Sequence, residues 1–162
     1  MTSPMNRKNH RAHPVVLTLL ALAVTSFSAS SSAGLGGDEN SIRLDSTRLG
    51  GQWVRTSLLQ YERHDITSSA GGTVHEYLSR SGKVFAVSWQ ARLPPDLRQL
   101  FGSYFEPLRA AEAAQTRPGA HRQVAIVQPD FVYLAAGNAR AFQGRAYVPS
   151  LVPAGLDVSS LP

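Results

Sequence analysis

The chain has 162 residues, no cysteine, 16 Lys and Arg, 11 Asp and Glu, and a formal charge of +5. The missing cysteines exclude a disulfide staple, thiol catalysis, cysteine–zinc sites and iron–sulfur clusters. They also exclude a lipid attached through cysteine.

Residues 1–33 read as a secretory signal peptide. Arg7, Lys8 and Arg11 form a basic opening, Val15 to Phe27 is apolar, and small residues run up to a cleavage position after Ala33. A spanning helix needs roughly 20 apolar residues, and this run has 13 before serine takes over. The expected mature chain keeps 13 of the 16 basic residues against 11 acidic ones, a balance of +2. The high pI therefore belongs in part to the leader. No concentrated basic patch of the kind that binds nucleic acid is present, and no membrane span is expected after leader removal.

The remainder reads as one domain, residues 34–155, with an irregular tail over 156–162. Gly34 to Gly37 reads as a flexible start. Asp38 or Ser41 caps a short helix that ends at Gly50-Gly51. Three strands follow in a meander, Ser57–Thr67, Thr73–Arg80 and Lys83–Ala91, on the strength of alternation, aromatic and β-branched content, and glycine-bearing turns. Closing the turns as Thr67 with Thr73, and Arg80 with Lys83, sets a register. It gathers Leu58, Ile66, Val74, Leu78, Phe85, Val87 and Trp89 on one core face.

Pro94-Pro95 ends the sheet. Asp96 caps a helix, Gln99 completes a capping box, and an apolar stripe runs from Leu97 through Leu100, Phe101, Tyr104 and Phe105 to Leu108. Pro107 is expected to kink or split it. After a loop at Arg117–Arg122 comes a strand, Gln123–Val127, and then a hairpin, Phe131–Ala135 with Arg140–Val148, around Gly137-Asn138. The expected fold class is α+β: a single domain with a three-stranded meander plus a C-terminal hairpin, packed on one main amphipathic helix.

Three segments, EYLSRSGKVFAVSW, PDLRQLFGSYF and QPDFVYLAAGNARAFQGRAYVPSLVPAG, together with the leader and GLGG, resemble the bacterial domain of unknown function family 2844. The similarity covers roughly Gly34 to Gly155. It implies an exported protein of Gram-negative bacteria and implies no reaction, and it carries no functional residues across.

The register aligns Asp65, His75 and Ser88 in one row across three strands, on the face away from the core. An acid, an imidazole and a hydroxyl in line have the composition of a nucleophilic triad. A mid-strand serine lacks the sharp turn and free oxyanion donors such a triad uses, and no G-x-S-x-G occurs. A polar row on a wetted sheet face is the simpler reading. His64 falls opposite Glu76 on the core face, which gives either a perturbed acid–base pair or a satisfied polar pair. His64, Asp65, His75, Glu76 and His121 are metal-ligating types without H-x-x-x-H or H-E-x-x-H spacing, so no metal site is expected. No cofactor motif is present, neither G-x-G-x-x-G nor a Walker lysine. Tyr61, Arg63 and Tyr77 alternate onto the wetted face as a candidate partner surface.

The expectation is an exported protein, periplasmic with secretion as the alternative. Its expected role is a non-enzymatic binding or assembly module for another envelope protein. A small periplasmic hydrolase using the Asp65–His75–Ser88 row and a small-ligand carrier are the competing readings.

Overall fold

The computed structural model describes residues 34–115, 123–138 and 141–162. The expected signal peptide with its cleavage position, the loop expected at Arg117–Arg122 and His121 lie outside the described residues.

Helix α1 is Glu39–Arg48, capped by the Asp38 carboxylate, which accepts from the amides of Asn40 and Ser41. Gly50 at φ +58° ends it. Four strands follow, β1 (Gln52–Ser57), β2 (Tyr61–Thr67), β3 (Gly72–Ser79) and β4 (Val84–Ala91). Helices α2 (Leu97–Phe101) and α3 (Phe105–Ala114) flank a 3-10 turn at Gly102–Tyr104. Strands β5 (Gln123–Val127), β6 (Val132–Asn138) and β7 (Ala141–Tyr147) complete the sheet.

All seven strands form one antiparallel sheet in the order β1-β2-β3-β4-β7-β6-β5. The domain is α+β as expected, but the meander-plus-hairpin arrangement is not what forms. Two meanders, β1–β4 and β5–β7, are zipped together where β4 pairs with β7. The expected first strand, Ser57–Thr67, is broken by a turn in which the Leu58 amide donates to the Tyr61 carbonyl at 2.9 Å. Its N-terminal partner is the added strand β1. Leu58 sits in that turn and is solvent-exposed rather than on the core face.

The β2–β3 register is the expected one, with Thr67 opposite Thr73 and Ile66 opposite Val74. Across β3–β4 it also holds from Gly72–Ala91 to Tyr77–Ala86, and then a bulge places Leu78 opposite Val84 rather than Phe85. The turn is wider than two residues: the Ser79 amide donates to Lys83 O at 2.8 Å, and the Ser79 hydroxyl bonds the same carbonyl at 2.9 Å. A bulge shifts alternation by one residue. Phe85 therefore leaves the expected core face and packs with Tyr77 on the opposite one.

One face of the sheet carries the helices. Its core joins Ile66, Val74, Val87 and Trp89 to Leu100, Phe101 and Leu108. GLGG is not a loose start. Leu35 is fully buried, its amide donates to Leu100 O, and Gly36 and Gly37 exchange bonds with Val84. A Cβ on Gly34 would meet Leu100 O at 1.9 Å, so only glycine allows that approach.

The capping-box role expected of Gln99 is not taken up. Asp96 accepts from the amides of Arg98 and Gln99, while the Gln99 side chain reaches away to Asp45 at 2.9 Å. The helix breaks at Gly102, φ +51°, ahead of Pro107. Pro107 is the third residue of α3, where a backbone N–H has no intrahelical acceptor, so it causes no kink.

The tail is also more ordered than expected. It forms 3-10 turns at Pro149–Leu151 and Val158–Ser160 and lies over the face opposite the helices. Leu161 is buried there with Tyr77, Phe85 and Ala86.

Candidate functional site on the second sheet face

The row read from the sequence is present. Asp65 pairs with His75, and His75 with Ser88. The row then continues through Arg145, Leu134 and Ala125 to the far edge. The Asp65 carboxylate is 2.5 Å from His75 Nδ1 and 2.9 Å from Arg63 Nε. An acceptor-only carboxylate at that distance holds the imidazole proton on Nδ1, which leaves Nε2 with a lone pair in the neutral ring.

The chain of bonds stops at His75. The Ser88 hydroxyl donates to the main-chain oxygen of Pro162 at 2.7 Å, and the Tyr77 hydroxyl donates to the same oxygen at 2.6 Å. The two hydroxyls lie 3.1 Å apart. Ser88 is thus directed at the tail, and its own amide and carbonyl sit within a strand paired on both sides. The row has an acid–imidazole pair but no activated nucleophile.

Of the expected partner surface, Tyr61 and Arg63 remain partly exposed. Tyr77 does not: it is 0% exposed beneath the tail, and burial pushes its phenol above the usual range. The sequence placed Tyr77 on the correct face, but the tail covers that part of it.

Beyond the tail the same face opens into a trough of about 580 Å³. Its floor runs over β4, β7, β6 and β5, with His75 at one rim and Ser159 and Pro162 as a wall. Register sets its chemistry. Thr73, Gln90, Gln143, Ala136 and Gln123 form one row, beside the row of His75, Ser88, Arg145, Leu134 and Ala125. Gln90, Gln123 and Gln143 are exposed. Arg145 donates to the carbonyls of Val158 and Ser159 at 3.0 and 3.1 Å, so it pins the tail to the trough's edge. On the opposite, helix-side face Gly144 leaves room for the Trp89 ring, which a Cβ there would meet at 2.3 Å. The trough offers amide donors and acceptors, one guanidinium, one imidazole and a small apolar strip.

The family model described as Protein of unknown function (DUF2844) matches residues 31–161. The chain belongs to that family. The match runs through both meanders and nearly all of the tail, so the trough and its wall, Pro162 apart, are built from residues of the DUF2844 region. No curated protein and no solved structure matches the chain significantly.

On the helix face, His64 and Glu76 stand opposite each other as expected, yet they do not bond to each other. Trp53 Nε1 donates to His64 Nδ1 at 3.0 Å, and the two rings stack at 5.5 Å. Burial holds His64 below its ordinary range, which favours the neutral ring, while the Glu62 charge opposes this. Glu76, 0% exposed, faces Asp45 of α1 instead. Among the described residues, no group of three or more His, Asp or Glu is placed to hold a metal ion. No helix among them is long and apolar enough to cross a membrane.

The residues that sequence reasoning missed are Gln123, Gln143, Arg145 and Asp45. The first three reach the site through the β4–β7 pairing, which no local turn announces. Two polar residues two positions apart in the middle of β7, Gln143 and Arg145, were the available signal that one face of that strand is wet.

Proposed function

We propose that this protein is an exported, non-enzymatic binding module of the bacterial envelope, and that it engages its partner through the trough on the second sheet face. The observation that carries this reading is the state of the polar row. Asp65 and His75 are paired, but Ser88 is bonded to the tail, so the row supplies recognition groups rather than a nucleophile. The trough has the size of a ligand-recognition cleft. Gln90, Gln123 and Gln143 offer paired donors and acceptors, which suits an extended, hydrogen-bonding segment of another envelope protein. Export is supported by the order of basic, apolar and small residues over 1–33.

A photo-crosslinking residue at Gln143, compared with one at exposed Glu106, tests this in cells. The reading expects a discrete adduct from position 143 and none from 106. Equal adducts from both, or none from 143, removes the trough as the binding site.

A further inference from the structure

Helix α1 is held to the sheet in an unusual way. Its inward face consists of Ser41, Ile42 and Asp45, so one aliphatic side chain and one carboxylate share the contact. Ser41 is satisfied locally by the Asp38 carbonyl at 2.6 Å. Asp45 is fully buried and faces Glu76 of β3, also fully buried. Gln99 of α2 donates to Asp45 Oδ1 at 2.9 Å, but Asp45 Oδ2 and both Glu76 oxygens have no hydrogen-bond partner. Three unpaired buried oxygens in one contact require an explanation.

The surrounding charges do not neutralise the pair. Arg48 on α1 and Asp96 ahead of α2 act on Asp45 with opposite sign. His64 on β2 is buried, its Nε2 without a hydrogen bond and 3.8 Å from a Glu62 oxygen, and burial favours its neutral form against that charge. At the rim Arg55 is bonded to Glu62 at 2.8 Å and lies 3.5 Å from Glu39. Two facing carboxylates without a cation between them cannot both ionise at low cost.

We propose that Asp45 and Glu76 form a proton-operated latch: a proton held between the two carboxyls keeps α1 seated, and its loss as pH rises releases the helix from the sheet. Burial first, and then the Asp45 charge, push Glu76 well above the usual carboxylate range. Burial pushes Asp45 up as well, with Gln99 opposing. For an acid raised in the folded state, the stabilisation is complete below the ordinary carboxylate range. It is lost as pH rises through the raised value. Opening the latch releases one proton in that window, so the opening constant climbs up to about tenfold per pH unit. Release uncovers the Ile66 and Trp53 side of the sheet and leaves the strand ladder intact.

Hydrogen exchange of the α1 peptide, corrected for intrinsic rates, tests this between about pH 5 and pH 8. Wild type is expected to lose protection toward about tenfold per unit, while Glu76→Gln, which cannot ionise, stays flat. Equal pH dependence in both overturns the latch. An infrared carbonyl band from a protonated buried carboxyl in wild type at neutral pH is the check that needs no variant; its absence also overturns the proposal.

Discussion

Two buried residues on the helix face are shifted in opposite directions. His64 is held neutral by burial, so its contribution is complete above the ordinary histidine range and is lost as pH falls through its depressed value. Glu76 is raised, so its contribution is lost as pH climbs. Stability should therefore peak between the two limbs, and chemical denaturation of Glu76→Gln across pH should show the alkaline limb flattened with the acidic limb kept. On the second face, Tyr77→Phe removes one of two donors to Pro162 O and is expected to cost about 1 kcal/mol by urea denaturation. The Asp65–His75 pair was legible because one short turn fixes the β2–β3 register. The Asp45–Glu76 pair was not, because nothing local to α1 says which strand it crosses. Tyr77 was assigned to the right face and the wrong solvent exposure for a similar reason: its cover comes from Pro162, far along the chain.

Among the elements, the helical layer separates a local reading from what packing enforces. The apolar stripe and the Asp96 cap were both readable, yet the break falls at Gly102 and not at Pro107. A three-residue 3-10 turn disturbs the spacing of the stripe so little that periodicity alone does not reveal it. The position of Pro107 gives a sharp expectation. In the first turn of α3, Pro107→Ala should change stability by no more than about 0.5 kcal/mol, whereas an interior proline would hold back about 3 kcal/mol that alanine restores. Thermal denaturation distinguishes the two. The bulge after Tyr77 was hidden by the same kind of local economy. Ser81-Gly82 reads as a two-residue turn, but Ser79 closes the loop on Lys83 with both its amide and its hydroxyl.

For the whole molecule, the decisive contact is the one that local reasoning does not reach. Val87 of β4 pairs with Ala146 of β7, 59 positions away, and turns two small sheets into one. That pairing sets Arg145 beside Ser88, gives the trough its floor, and lets Arg145 hold the tail. The tail then divides the second face into a dry end, with Tyr77, Phe85, Ala86 and Leu161, and a wet end with the glutamine row. Removing residues 157–162 should expose the dry end and cost about 2–3 kcal/mol, chiefly from the loss of Leu161. Far-ultraviolet circular dichroism should show the sheet retained.

Two long-range features define the molecule: the tail covers the Tyr77–Ser88 end of the sheet, and β4 pairs with β7. Nuclear Overhauser spectroscopy of the folded protein tests both at once. Cross-peaks between the Tyr77 ring and the Leu161 methyls, together with cross-strand peaks between Val87 and Ala146, are the expected result. A mobile Leu161 with no contact to Tyr77, or Ser88 free to reach His75, would contradict it.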